Sequence, residues 1–95
     1  MSSELIRIFF EAVKANQVDT VADLIRNGSV SVDEVDDTHM NMTAMHYAAE
    51  LGYSELITVL LTLKPNLLTT DDIGSVPLTL AVDSDHFQVV KKLIE

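Results

Sequence analysis

Cysteine is absent from this chain of 95 residues, and glycine (three) and proline (two) are scarce. Without cysteine, the protein can form no disulfide and can use no thiolate chemistry. Few helix-breaking residues, combined with 47% hydrophobic residues, favour densely packed helices over disorder.

Basic residues are also few, since six Lys and Arg face fifteen Asp and Glu, for a formal net charge of −9. This balance disfavours binding to nucleic acid or to anionic membranes. If charge steers a partner, we expect that partner to be basic. No apolar run approaches the ~18 residues that cross a bilayer, and the N-terminus has no signal-peptide pattern. We therefore expect a cytoplasmic location, with the nucleus as the alternative.

An internal repeat is the strongest positive feature. Residues 43–61 recur, with changes, 33 positions later as residues 76–94. Thr-Ala-Met-His-Tyr-Ala-Ala at 43–49 aligns with Val-Pro-Leu-Thr-Leu-Ala-Val at 76–82. A fixed period of this length indicates a solenoid of stacked units. Such a fold offers a long recognition surface and no inherent reaction centre.

Hydrophobic spacing and helix-end signals predict six short helices. The first ends at Ala15, the second begins at about Asp19, and the others cover 44–51, 55–63, 77–83 and the segment from about Phe87. The side chains predicted to cap the helix starts are Ser2 or Ser3, Asp19 and Ser54.

The polar segments 29–42 and 69–75 are predicted to be loops or short hairpins. The acidic residues of the first loop are expected to be solvated. They do not form a calcium site, because the glycine and the glutamate of a calcium-binding loop are missing. Met40 and Met42 lie in the same loop, where we expect them to be exposed and able to adapt to a partner.

The segment 43–49, together with Gly52 and the aliphatic pairs at 56–57 and 60–61, resembles an ankyrin repeat. The resemblance implies an all-α fold, an ankyrin-type solenoid of three helix–turn–helix pairs linked by hairpin loops. The repeats would cover roughly 1–35, 36–68 and 69–95 as a single domain. Three departures stand out: Val76 and Thr79 replace the threonine and histidine of the motif, and Lys64-Pro65 replaces a glycine. Asn41 takes the place of another glycine in the preceding turn.

By the same resemblance, the chain is a protein–protein interaction module that contacts its partner through hairpin tips and the concave face of the first helices. We expect a monomer with no enzymatic activity, no cofactor and no metal, and His46 is expected to be structural. The residues expected to contact a partner are Asp36, Asp37, Met40, Met42, Tyr47, Glu50, Leu51, Leu80, Asp83 and Ser84. Leu51 and Leu80 have the alternative role of completing the packing between repeats. The alternative for the whole chain is the N-terminal ankyrin part of a larger enzyme, channel or scaffold.

Overall fold

The computed structural model describes residues 3–95, which form three pairs of antiparallel helices. The helices are α1 (Ser3–Lys14), α2 (Val18–Arg26), α3 (Ala44–Leu51), α4 (Ser54–Thr62), α5 (Pro77–Asp83) and α6 (Phe87–Ile94). The first helices of the pairs pack side by side as an inner layer (α1, α3, α5), and the second helices form an outer layer (α2, α4, α6). The predicted solenoid of three helix–turn–helix pairs is confirmed.

The core lies between the two layers. Leu56, Ile57 and Leu60 of α4 are fully buried, as the paired aliphatics of the repeat predict. On the inner layer, Ala48 and Ala81 are also fully buried. Their small side chains allow α3 and α5 to approach each other closely.

Left-handed residues end or connect the helices at several places. Asn16, the second residue beyond the end of α1, has a φ of 58°, and α1 ends at Lys14, one residue earlier than predicted. Gly52 has a φ of 76° at the end of α3. Asn41 has a φ of 53°, as expected for a residue that replaces glycine. Lys64 also has a φ of 58°, so it makes the turn for which the motif uses glycine.

The side-chain caps predicted for α2 and α4, Asp19 and Ser54, are wrong. Gln17 precedes α2 and Tyr53 precedes α4, both without a side-chain cap. Asp19 and Ser54 lie inside the first turns of these helices. The second helix of each pair follows a tight turn that folds back onto the first helix. The amides of Gln17, Tyr53 and His86, which directly precede α2, α4 and α6, donate to the carbonyls of Ala12, Ala48 and Ala81. Ser2 lies outside the described residues.

Candidate functional site

The loop that precedes α3 folds back onto the inner layer and is held by a buried carboxylate. Asp36 Oδ1 accepts hydrogen bonds from the Thr38 amide at 3.1 Å and from the Thr38 hydroxyl at 2.5 Å. Asp36 Oδ2 accepts a 2.6 Å bond from the Tyr47 hydroxyl and lies 3.7 Å from Lys14 Nζ. The Asp36 amide also donates to the Met42 carbonyl at 2.8 Å. One side chain therefore joins the loop to both α1 and α3.

This network perturbs both of its titratable partners. Burial alone would raise the pKa of Asp36, but the hydrogen bonds from Thr38 and Tyr47 and the nearby Lys14 ammonium outweigh it, so that the pKa is lowered. Burial, followed by the Asp36 carboxylate, raises the pKa of Tyr47 well above its ordinary value. Asp36 is therefore an anion and Tyr47 a neutral donor at neutral pH.

The exposure expected for three of the predicted contact residues is wrong. Met42 is 2% exposed, Tyr47 4% and Asp36 6%. Met42 is buried because the closed hairpin turns it into the core. The Tyr47 ring packs 5.8 Å from the Phe10 ring, with the His39 ring stacked at 5.9 Å. In this structure these side chains are structural and leave almost no surface for a partner.

Met40 is half-buried against the core, and its backbone joins consecutive hairpins. The Asp72 amide donates to the Met40 carbonyl at 2.9 Å, and the Asn41 side-chain amide donates to Asp72 Oδ1 at 2.9 Å. Asp33 Oδ1 makes a similar link by accepting from the Asn66 amide at 2.8 Å. These bonds hold the loops in register along the stack. Asp37, at the tip of the first of these hairpins, is exposed.

His46 forms the joint between the second and third repeats. The Thr43 amide donates to His46 Nδ1 at 3.1 Å, and the His46 amide donates to Thr43 Oγ1 at 3.3 Å. Because Nδ1 is an acceptor, the proton lies on Nε2, which donates to the Ser75 carbonyl at 2.9 Å. The side chain is fully buried. These contacts agree with the structural role expected for His46.

The remaining predicted contact residues lie at the C-terminal ends of α3 and α5, which pack side by side. Glu50, Asp83 and Ser84 are exposed, and Leu51 is 42% exposed. Leu80 is half-buried against the core, which favours its alternative role in packing. These exposed residues, Glu50, Leu51, Asp83 and Ser84, form an acidic strip on neighbouring helices that includes one apolar side chain.

Sequence reasoning missed Val82 of α5, which is 53% exposed. The repeat aligns Val82 with Ala49, which is fully buried, so the sequence pattern favours burial. Among the described residues, no further helix pair follows α5 and α6 to cover it. The one sequence signal of this exposure is the side-chain size, since Val82 is larger than the alanine that the preceding repeat packs at the same position.

The comparison with protein families agrees with this geometry. The family described as ankyrin repeats, in three copies, matches residues 9–95. The chain belongs to the ankyrin repeat family. No curated protein sequence matches it significantly.

Among solved structures, this ankyrin protein is similar to an immunity protein. The matching structure is that of the predatory endopeptidase Bd0816 from Bdellovibrio bacteriovorus in complex with the immunity protein Bd3460. The match has a TM-score of 0.80 and 27% sequence identity, and covers 90% of this chain and 44% of that chain. The ankyrin chain therefore spans less than half the length of this relative.

Within residues 3–95, no helix is both long and apolar enough to span a bilayer. The same residues contain no cluster of three His, Asp or Glu side chains arranged to hold a metal.

Proposed function

We propose that this ankyrin protein is a binding module that recognises another protein through the exposed C-terminal ends of α3 and α5 and the hairpin that carries Asp37. The observation that carries the proposal is the strip formed by Glu50, Leu51 and Asp83. It combines an exposed apolar side chain with carboxylates on neighbouring helices. An apolar centre with a polar rim is the usual composition of a protein interface.

The partner proposed here is basic where it meets the strip. The chain carries a net charge of −9, and the strip itself presents only acidic charges. A complementary basic surface would associate faster and discriminate against acidic proteins. The similar immunity protein occurs in a complex with another protein, which supports a protein partner over a nucleic acid or a membrane. Binding, and not catalysis, is the proposed activity of the single domain.

The test begins by capturing partners from a lysate of the source organism and purifying the strongest of them. Its affinity is then measured for the parent chain and for the variants Glu50→Lys and Leu51→Ser. We expect each variant to weaken binding about tenfold or more, as at the centre of an interface. The matched control is Glu55→Lys, an exposed charge reversal on the outer helix α4. Equal affinity for Glu50→Lys, Leu51→Ser and parent would place the interface elsewhere.

We also propose a monomeric state and a cytoplasmic or nuclear location. Sedimentation equilibrium at several concentrations checks the first, since a dimer would show twice the mass. A fluorescent fusion observed in the source cells checks the second.

A second candidate is that these repeats are the opening part of a larger enzyme, channel or scaffold. Apolar side chains of the third repeat favour it, because Val82, Phe87 and Ile94 are all more than half exposed. A further stacked repeat would cover such side chains. Sequencing the full transcript tests this candidate, which fails if the reading frame ends at Glu95.

A further inference from the structure

A second surface lies between α1 and residues 34–38 of the loop before α3. It is a groove of about 490 Å³, which lies within the size range of clefts that bind small ligands. Its accessible apolar lining comes from the half-buried side chains of Ile6 of α1 and Val35 of the loop, and the buried Phe10 ring lies beneath them.

The charged lining of the groove is mainly acidic. It holds two cations, Arg7 and Lys14, and five carboxylates, Glu4, Glu11, Glu34, Asp36 and Asp37. The two cations already have partners within the protein. Arg7 donates to both Glu4 and Glu11, and Lys14 lies against Asp36.

Two carboxylates therefore remain without an ion-pair partner among residues 3–95, those of Glu34 and Asp37. Both lie on the loop side of the groove, next to Val35. A ligand that enters the groove meets an apolar surface edged by two free negative charges.

The groove is preformed, because the loop that builds one side of it is fixed. Asp36 holds the Thr38 end of the loop and receives the Tyr47 hydroxyl from α3. The Asp36 amide closes the hairpin onto the Met42 carbonyl. A rigid site spares a ligand the cost of ordering the loop.

We propose that this groove binds a basic segment of a partner protein, in which Lys or Arg side chains flank one apolar side chain. The apolar side chain contacts Ile6 and Val35, and the cations pair with Glu34 and Asp37. The inference rests on the proposed protein-binding function and specifies the chemistry of one partner segment. A nucleic acid is repelled by the same carboxylates, and a second copy of the chain brings a like charge of −9.

The probe is a synthetic peptide of sequence Gly-Lys-Arg-Leu-Arg-Lys-Gly, titrated into ¹⁵N-labelled protein and followed by NMR. We expect the amide signals of Ile6, Phe10 and Val35 to shift most. A peptide with serine in place of leucine should bind about tenfold more weakly, because it lacks the buried side chain.

Two double variants isolate the charges of the groove. Glu34→Gln with Asp37→Asn removes the unpaired carboxylates, whereas Asp23→Asn with Glu55→Gln removes two exposed carboxylates from the outer helices. Both change the net charge from −9 to −7, so long-range attraction falls equally. The groove variant should bind the leucine peptide about fivefold more weakly, and the control should change by less than about twofold. Ile6→Ala tests the apolar side independently, with an expected loss of about threefold.

Three results would overturn the inference. Equal weakening by the two double variants would show attraction by net charge alone. No measurable binding of the leucine peptide would exclude a basic ligand in the groove. Shifts centred on Glu50, Leu51 and Asp83 would place the peptide on the strip, which leaves the proposed function standing while the groove fails. Conversely, peptide binding in the groove, combined with a partner affinity that Leu51→Ser does not change, would contradict the proposed role of the strip and support that of the groove.

Discussion

Two units of the molecule occupy the same place in consecutive repeats and are held in different ways. We compare the second-repeat unit, residues 36–52, with the third-repeat unit, residues 71–85. Each opens with a buried aspartate: Asp36 binds the amide and hydroxyl of Thr38, and Asp71 Oδ1 binds the amides of Ile73 and Ser75. The start of each loop is therefore built alike.

The units differ from the helix start onward. α3 begins with a capping box, in which Thr43 and His46 satisfy each other's backbone amides. α5 begins at Val76 without a side-chain cap and has Pro77 in its first turn. Proline has no amide of its own at the first helical position, and its fixed φ suits the first turn. The amide that a cap would satisfy, that of Thr79, donates instead to the Val76 carbonyl at 3.0 Å. The start of the first helix of a repeat can therefore be secured either by side-chain hydrogen bonds, as in α3, or by a proline that fixes the backbone, as in α5.

The loops also differ in length. The closing bond of the second-repeat unit joins Asp36 to Met42, whereas that of the third joins Asp71 to Ser75. The longer loop reaches α1 and builds the groove. If side-chain bonds matter more in the second-repeat unit, substitutions there should cost more than the same changes in the third.

The largest expected effect is that of His46→Ala. It leaves a cavity at a fully buried position and removes the bonds to Thr43 and Ser75, so we expect a loss of about 3 kcal/mol in the free energy of unfolding. Thr79→Ala at the matching, exposed position of α5 should change it by less than about 0.5 kcal/mol. Urea denaturation measures both. Similar losses for the two variants would erase the difference between the units.

Gly52→Ala comes next, with an expected loss of about 2 kcal/mol. The backbone there has a φ of 76°, and an added Cβ would lie 2.7 Å from the His86 ring. The matched control is Gly28→Ala, where φ is 81° but no atom lies within 4 Å of the added Cβ. The control should lose about 1 kcal/mol, from backbone strain alone. Thermal unfolding measures the stability of both variants. Equal losses of stability would show that the contact with His86 adds nothing to the effect of backbone strain.

Tyr47→Phe should lower the free energy of unfolding by about 1 kcal/mol at pH 7, because buried Asp36 loses one of its hydrogen-bond donors.

This loss of stability should depend on pH. The folded-state pKa of Asp36 lies below its ordinary 3.8, so its stabilising contribution is complete above about pH 5 and is lost as the pH falls through the folded-state value. The removal of Tyr47's bond brings that pKa closer to the ordinary value. The stability gap between parent and variant should therefore narrow from pH 7 to pH 3, as urea titrations at the two pH values can measure. A gap that stays constant would show that the bond does not depend on the Asp36 charge.

The smallest expected effect is a gain. Val76→Thr combined with Thr79→His installs the capping box of α3 at the start of α5, and we expect a stabilisation of about 0.5–1 kcal/mol. The midpoint of urea denaturation should rise accordingly. A loss of stability would mean that Pro77 and the short loop position the backbone in a way the box cannot use.

The burial of residues that follow the helical and repeat periods could be predicted from the sequence, whereas the burial of residues covered by a loop could not. The helix spans and the buried alanines follow from spacing and side-chain size, which act within one repeat. Asn41 was predictable as a left-handed residue because the need arises in its own turn. Met42, Tyr47 and Asp36 are buried only because the loop closes over α1 and α3, a contact between segments far apart in the chain.

The candidate site was predictable in part for the same reason. Glu50, Asp83 and Ser84 lie at helix ends, where position in the repeat already implies exposure. The groove beside Ile6 and Val35 needed the loop's path to be known, since no motif marks it.

The sequence by itself determined the ankyrin fold, the order of its helices and the acidic character of its surface, because a repeated pattern acts locally in each unit and composition sums over all of them. Only the tertiary structure decided which side chains of the long loop face the core and which are left to meet a partner. The physical reason is that burial of Asp36 requires donors from Thr38 and Tyr47 and a cation from Lys14 at one point, and only the folded chain brings those groups together.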